Sequence, residues 1–201
     1  WASDSNDALA RIGIQSGFLR FLPPEIMGAH IGPAQSHTSG RMHSLAFRAS
    51  VAMFGHLGVE FDVRQLNAGE RSELAHWIAA YKEWRGVCHA GVLRQGALGG
   101  LSWLQATATD ASAALFALYR RVEEVPRYTP PQPIHGLDSA RRYRLHALHL
   151  PTVAHSQAST GVIAELAAGT LVLSGAQLRD FGLPLPPLPP ESAIVVGIRA
   201  V

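Results

Sequence analysis

Trp1-Ala-Ser-Asp-Ser-Asn-Asp-Ala-Leu-Ala-Arg11 opens the chain and places two carboxylates, Asp4 and Asp7, where an aromatic and polar segment runs into an amphipathic helix. In α/β proteins, catalytic groups gather where a strand gives way to the next helix. Taken as such a corner, this stretch makes the residues up to Ala90 readable as strand–helix units built around it.

Leu9, Ile12, Ile14, Phe18, Phe21 and Leu22 give the segment 7–21 an apolar helical face, with Asn6 or Asp7 as its cap. Pro23-Pro24 ends it, because proline lacks the N–H and restricts the residue before it. Glu25-Ile-Met-Gly-Ala-His-Ile-Gly32 is a short apolar run between Pro and Gly, the pattern of a buried parallel strand. Pro33-Ala-Gln-Ser-His-Thr-Ser-Gly-Arg-Met-His43 is long for a connector and reads as a functional loop. Ser44 caps a second helix ending near Gly55, and Leu57 to Val63 reads as a second strand. The segment 67–88 is the strongest helix, with Leu74, Trp77, Ile78, Tyr81 and Trp84 at helical spacing. Alternation of this kind predicts parallel strands joined by helical crossovers.

After Gly91 the pattern changes, so we expect two domains, 1–90 and 91–201. Val92–Leu98, Leu101–Thr107, Ala113–Arg120, Tyr143–His149, Val162–Leu166, Thr170–Leu173 and Ile194–Ile198 read as short strands. Arg142-Tyr-Arg-Leu-His-Ala147 alternates polar and apolar, as in a half-solvated antiparallel strand. With turn residues between them, these runs predict a small β-sandwich. Leu183-Pro-Leu-Pro-Pro-Leu-Pro-Pro190 reads either as a stiff connector or as a polyproline ligand for another protein.

Apolar residues are 47% of the 201 and charged residues 16%, which supports a core and argues against global disorder. A formal net charge of +2, with scattered arginines, gives no footprint for nucleic acid. No apolar run approaches the ~20 residues of a membrane helix. The one cysteine, Cys88, excludes an internal disulfide and fits a reducing compartment, so a cytoplasmic, bacterial-type location is the expectation. A first residue of Trp, directly before a carboxylate pair, suggests a piece of something longer.

Asp4 and Asp7 have two readings. Both suit a helix N-terminus, where their charge complements the dipole. Alternatively one is a general acid, its pKa raised by a second carboxylate and by an aromatic wall such as Trp1. His30, after the first buried strand, and His37 and Arg41 on the following loop suit either a site lining or loop hydrogen bonds. His30, His37 and His43 have no spacing that supports a metal, and we expect none. Trp77, Tyr81 and Trp84 read as core by their spacing. Trp103, Phe116, Tyr119, Tyr128, Tyr143 and Phe181 are the aromatics that a sugar-binding tail would draw on.

Several ordered motifs resemble the α-galactosidases of glycoside hydrolase family 36. They are Trp1-Ala-Ser-Asp-Ser-Asn-Asp7, Ile14-Gln-Ser-Gly17, Leu22-Pro-Pro-Glu-Ile-Met-Gly-Ala-His-Ile-Gly32, Ser36-His-Thr-Ser-Gly-Arg41, Phe47-Arg-Ala49 and Phe54-Gly-His-Leu-Gly58. Weaker likeness continues in Gly136-Leu-Asp138 with Tyr143, in Ser174-Gly-Ala-Gln-Leu178 and in Gly182-Leu-Pro-Leu-Pro186. The resemblance covers nearly the whole chain but only the C-terminal end of the family's length. It implies an α/β plus all-β chain: the C-terminal part of a (β/α)8 barrel, then an antiparallel β-sandwich domain.

The resemblance also implies a retaining hydrolase acting on terminal α-galactosyl residues of oligosaccharides, without metal or cofactor. Its acid/base is the Asp of a Trp-x-Ser-Asp-x-x-Asp motif, which is Asp4 here. Asp7 is then a cap and supporting group, with Trp1 and His30 near the substrate. The family's nucleophile lies in a Lys-Trp-Asp segment absent from this sequence, and Cys88 does not match the family's substrate-strand cysteine. Retaining chemistry needs two carboxylates about 5 Å apart. The expectation is therefore a fragment that is inactive and unstable alone and whose partner is the missing N-terminal part of the same enzyme, with homo-oligomers compatible. Galactosyl transfer and α-N-acetylgalactosaminide cleavage are alternatives within this chemistry. A non-catalytic carbohydrate-binding or assembly module is the alternative outside it.

Overall fold

Two short strands paired in parallel lie at the centre of the first half of the chain. β1 (Gly28–Ile31) runs beside β2 (His56–Val59) in the register Gly28↔His56 to Ile31↔Val59. This computed structural model describes residues 2–124, 129–151 and 161–201. They fall into two units, Trp1–Ala90 and Gly91–Val201.

In the first unit α1 (Ala8–Phe18) precedes β1, α2 (Leu45–Ala52) crosses from β1 to β2, and α3 (Ala68–Ala90) follows. Each helix has its start signal in place. The Asp7 side chain caps α1, and Ser44 Oγ accepts the Phe47 amide at the head of α2. Asn67 and Glu70 form a reciprocal pair at the head of α3. The Asn67 N–H donates to Glu70 Oε2 and the Glu70 N–H to Asn67 Oδ1, both at 2.9 Å. All eight residues of α2 are buried, as a crossover helix laid on a parallel pair requires.

Some boundaries differ from expectation. α1 stops at Phe18, and its buried face is Ala8, Arg11, Ile12 and Gln15 rather than the apolar stripe. Phe21 and Leu22 lie outside the helix, 87% and 43% exposed. β1 is shortened by a 3-10 turn at Pro24–Ile26, where proline pre-sets the backbone. β2 stops at Val59, and Asp62 caps a 3-10 turn over Val63–Gln65 by accepting the Arg64 amide. The described residues 2–7 form no strand.

In the second unit β3 (Val92–Leu98), β4 (Leu101–Thr107), β5 (Ala113–Arg120), β6 (Arg142–His149), β7 (Leu171–Ser174) and β8 (Ser192–Ala200) form one antiparallel sheet. Its order is β3-β4-β5-β8-β6-β7. The expected sandwich calls for a second sheet, and among the described residues the strands of this unit join in one. One face of the sheet is covered instead by helices and the proline-rich segment. Phe116, Leu118, Tyr143, Leu145, Val196 and Ile198 pack with Ile134, with Leu166 of α4 (Gly161–Ala168), with Leu178 of α5 (Gly175–Asp180) and with Leu183, Leu185 and Leu188. The proline-rich stretch thus serves as a connector whose leucines line the core.

The run Val162–Leu166, expected as a strand, is helical and buries Ile163 and Leu166 three residues apart. Its alanines favour a helix, and i, i+3 burial is a helical period. α5 was not anticipated. Ser174 and Gln177 form a capping box at its head, and Gly175 lets it start against the Asp138 turn. A Cβ on Gly175 would collide with the Asp138 carbonyl oxygen. Tyr143, fully buried, donates its hydroxyl to the Ala111 carbonyl at 2.8 Å and accepts the Asp138 amide at 2.9 Å. Gly136-Leu-Asp138, Tyr143 and Ser174-Gly175 are therefore parts of one corner.

The stripe of α3 follows its period, burying Leu74, Trp77, Ala80, Tyr81, Trp84 and Cys88. Burial pushes the Cys88 thiol up to about 12, so it is an inert core group. Trp77 is 1% exposed. Trp77→Ala should lower the unfolding free energy by about 3–5 kcal/mol in denaturant titrations. Lys82→Ala, on the exposed face of the same helix, should change it by less than about 0.5 kcal/mol.

Candidate active site

Asp4 and Asp7 are separated by one turn of chain and placed in opposite environments. Asp4 is exposed, whereas Asp7 is 2% exposed. The Asp7 Oδ1 accepts the amides of Leu9 at 2.9 Å and Ala10 at 3.1 Å, closing the open end of α1. Its Oδ2 accepts Arg41 Nη1 at 2.7 Å. Burial works to raise the Asp7 pKa. Hydrogen bonds from Ser39, the Ala10 amide and Arg41, with the Arg41 charge, outweigh it and hold the carboxyl below its ordinary value. Asp7 is thus a fixed anion.

The loop from Pro33 to His43 is folded on itself and tied to this corner. A bridge joins Gln35 to Met42, the Ser36 amide donates to the Arg41 carbonyl at 2.8 Å, and the His43 amide donates to the Ala34 carbonyl at 3.0 Å. Buried Asn6 then takes the loop's donors on one oxygen: Ser36 Oγ at 2.9 Å and the His37 amide at 3.1 Å. Arg48, from α2, donates to the Gly32, His43 and Ser44 carbonyls, fixing both ends of the loop.

His30 lies on β1 opposite Gly58 of β2. A Cβ on Gly58 would stand 2.9 Å from the His30 ring, so glycine is what gives the imidazole its room. His30 Nδ1 is 3.4 Å from Glu60 Oε2, just past the end of β2. Glu60 is also close enough to oppose the downward pull of burial on the Arg11 pKa.

Of the residues singled out from sequence, Trp1 lies outside the described residues. Asp4 and Asp7 share one corner, and Arg41, itself exposed, is tied to it through Asp7. His37 contributes its backbone amide. No three His, Cys, Asp or Glu side chains among the described residues gather as a metal-ligand set. In the tail, Phe116, Tyr119 and Tyr143 are buried, Trp103 stacks on Phe116 at 6.5 Å, and Phe181 is exposed. Tyr128 lies outside the described residues. Sequence reasoning missed Asn6 as a loop anchor, and also Arg11, Arg48 and Glu60. Arg11 and Gln15 did carry a signal, since a charge and an amide four residues apart share a helix face with Ala8 and Ile12.

Comparison with known proteins places this geometry in a context. The melibiase family profile matches residues 1–91. An α-galactosidase of Escherichia coli is 39% identical over the whole of this chain, which spans 29% of that enzyme. The α-galactosidase AgaA of Geobacillus stearothermophilus is 33% identical over 74% of this chain, corresponding to 21% of its length. The crystal structure of AgaA, a family 36 α-galactosidase, superimposes on the whole chain with a TM-score of 0.84 and covers it with 26% of its own residues, at 27% identity. Substituted forms of AgaA have been solved with raffinose and with stachyose.

Asp7→Ala should destabilise the protein by about 1–2 kcal/mol, since the cap is lost with the Arg41 pair. Asp7→Asn, still a good cap, should lose less. Because the folded pKa of Asp7 is depressed, its stabilisation is complete above the unfolded value near pH 4 and disappears as the pH falls through the folded value. Unfolding measured from pH 7 to pH 2 should therefore show a shallower acid decline in Asp7→Ala than in the parent.

Proposed function

The chain corresponds to the C-terminal portion of a family 36 α-galactosidase, and from that premise we propose that it supplies the general acid/base of a retaining α-galactosidase. Asp4 is that group. The observation that carries the reading is the division between the two carboxylates. Asp7 is buried, bonded on both oxygens and held below the ordinary carboxylate pKa, so its lone pairs are engaged in structure. Asp4, three residues earlier, is exposed on a backbone that its neighbours hold in place.

In the reaction, the Asp4 carboxylic acid protonates the glycosidic oxygen as the bond to the anomeric carbon breaks. A second carboxylate, from a segment outside these residues, attacks that carbon and forms a galactosyl ester. The Asp4 carboxylate then takes a proton from water, which attacks the anomeric carbon and releases galactose with its configuration retained. His30, held by Glu60 and given space by Gly58, lines the same site. Galactosyl oligosaccharides of the raffinose and stachyose type are the substrate class, following the ligands solved with AgaA.

Residues 1–90 supply the last strands and helices of a (β/α)8 barrel, and 91–201 an antiparallel β domain. A parallel pair of only two strands is a poor structure alone, because parallel sheets need cover on both faces. The exposed Phe21, Leu22 and Ile26 are apolar surface of the kind a neighbouring barrel element covers.

The test uses the full open reading frame that contains these residues. Asp4→Ala should lower kcat on raffinose by about 10²–10⁴-fold. The loss on p-nitrophenyl α-galactoside should be much smaller, because that leaving group needs little protonation. Equal losses on the two substrates would remove Asp4 from the acid role.

A further inference from the structure

Arg11 lies one helical turn beyond Asp7 and is 3% exposed. Its Nη1 donates to the Ser5 carbonyl at 2.7 Å and to the Ser3 carbonyl at 3.1 Å. These are the residues on either side of Asp4. We propose that Arg11 is the positioning residue for the Asp4 carboxyl, clamping the backbone on both sides of it so that the acid is held against the glycosidic oxygen. The inference rests on the reading of Asp4 as the acid/base and adds the device that aims it.

Three observations point the same way. The first is the division of the anchors along the segment. The Asn6 and Asp7 side chains fix the head of α1 and the following loop. The backbone around Asp4 is held by Arg11 from below and by the Ser3 hydroxyl, which accepts the Ser5 amide at 3.1 Å. With the Ser3 and Ser5 carbonyls clamped, the backbone that carries Asp4 is gripped on both sides.

The second is that packing alone does not call for arginine. Nε and Nη2 of Arg11 are buried without a hydrogen-bond partner among the described residues, as is the amide of Gln15 one turn on. A buried cation so incompletely bonded is a burden on stability, and an apolar residue of similar size usually serves a core better. The third is charge: burial works to lower the Arg11 pKa, and the charge of Glu60, which lies 3.4 Å from His30, opposes it, so the buried cation keeps an anion in range.

A displacement of about 1 Å in a catalytic group lowers rates by as much as about 10²-fold. In the full-length enzyme, Arg11→Met should therefore lower kcat on raffinose by about 10–100-fold with little change in KM. Its kcat on p-nitrophenyl α-galactoside should fall by no more than about threefold, as the acid is scarcely used there. Arg11→Lys, which keeps a donor and the charge, should recover part of the raffinose rate. Thermal unfolding should stay cooperative, with its midpoint moved by only a few degrees.

Equal loss on both substrates, an unchanged raffinose rate, or a loss seen only in KM overturns the positioning role. So does the loss of cooperative unfolding in both variants, which would make Arg11 a folding residue. Asp4→Ala is run alongside. If it is leaving-group selective and Arg11→Met is not, the clamp fails and the acid assignment stands. If Asp4→Ala is itself unselective, the failure lies in the assignment of Asp4.

Discussion

The carboxylate of Asp7 is the joint on which the first unit depends. One of its oxygens closes the head of α1 and the other holds Arg41, so a single side chain joins the opening segment, the helix and the loop after β1. An anion suits that place because the helix terminus presents unpaired N–H groups and positive partial charge. Once it is fixed there, the remaining anchors have defined positions. Asn6 receives the loop, Arg48 holds the loop's ends, and Arg11 reaches back beneath the residues around Asp4. The corner is cross-linked by hydrogen bonds around the exposed Asp4.

The second unit is organised by a different constraint. A sheet with two outer edges must cover its apolar face, and here short helices and proline-rich chain provide the cover. Prolines suit this because the connector has no ladder hydrogen bonds to make and loses little chain entropy on ordering. The leucines between them, Leu183, Leu185 and Leu188, supply the burial. The Asp138 turn, Tyr143 and the head of α5 interlock at one corner, which brings together stretches that are far apart in sequence.

Much of this architecture was legible before any coordinates. The α3 stripe, the change of pattern at Gly91 and three tail strands with their ends are direct consequences of 3.6-residue and 2-residue periodicity. The α4 segment was misread because a short apolar run of Val, Ile, Ala and Leu satisfies either period, and its neighbours decided the matter. The face of α1 was misread for a related reason. Its most apolar stripe is not its buried one, because Arg11 and Gln15 are taken into the interior by partners remote from the helix's own pattern.

From the order of residues come the elements, their caps, the two carboxylates at a helix entrance and the likeness to a family. All of these rest on neighbours within about one turn, or on a motif carried whole in the chain. The fold itself assigns the two carboxylates to opposite environments. The buried one, Asp7, is held by Arg41, thirty-four residues away along the chain. The backbone around Asp4 likewise depends on an arginine whose side chain turns inward rather than to water. Local spacing allows either aspartate to cap and either to act. Long-range hydrogen bonds, made only when loop and helix meet, separate their environments.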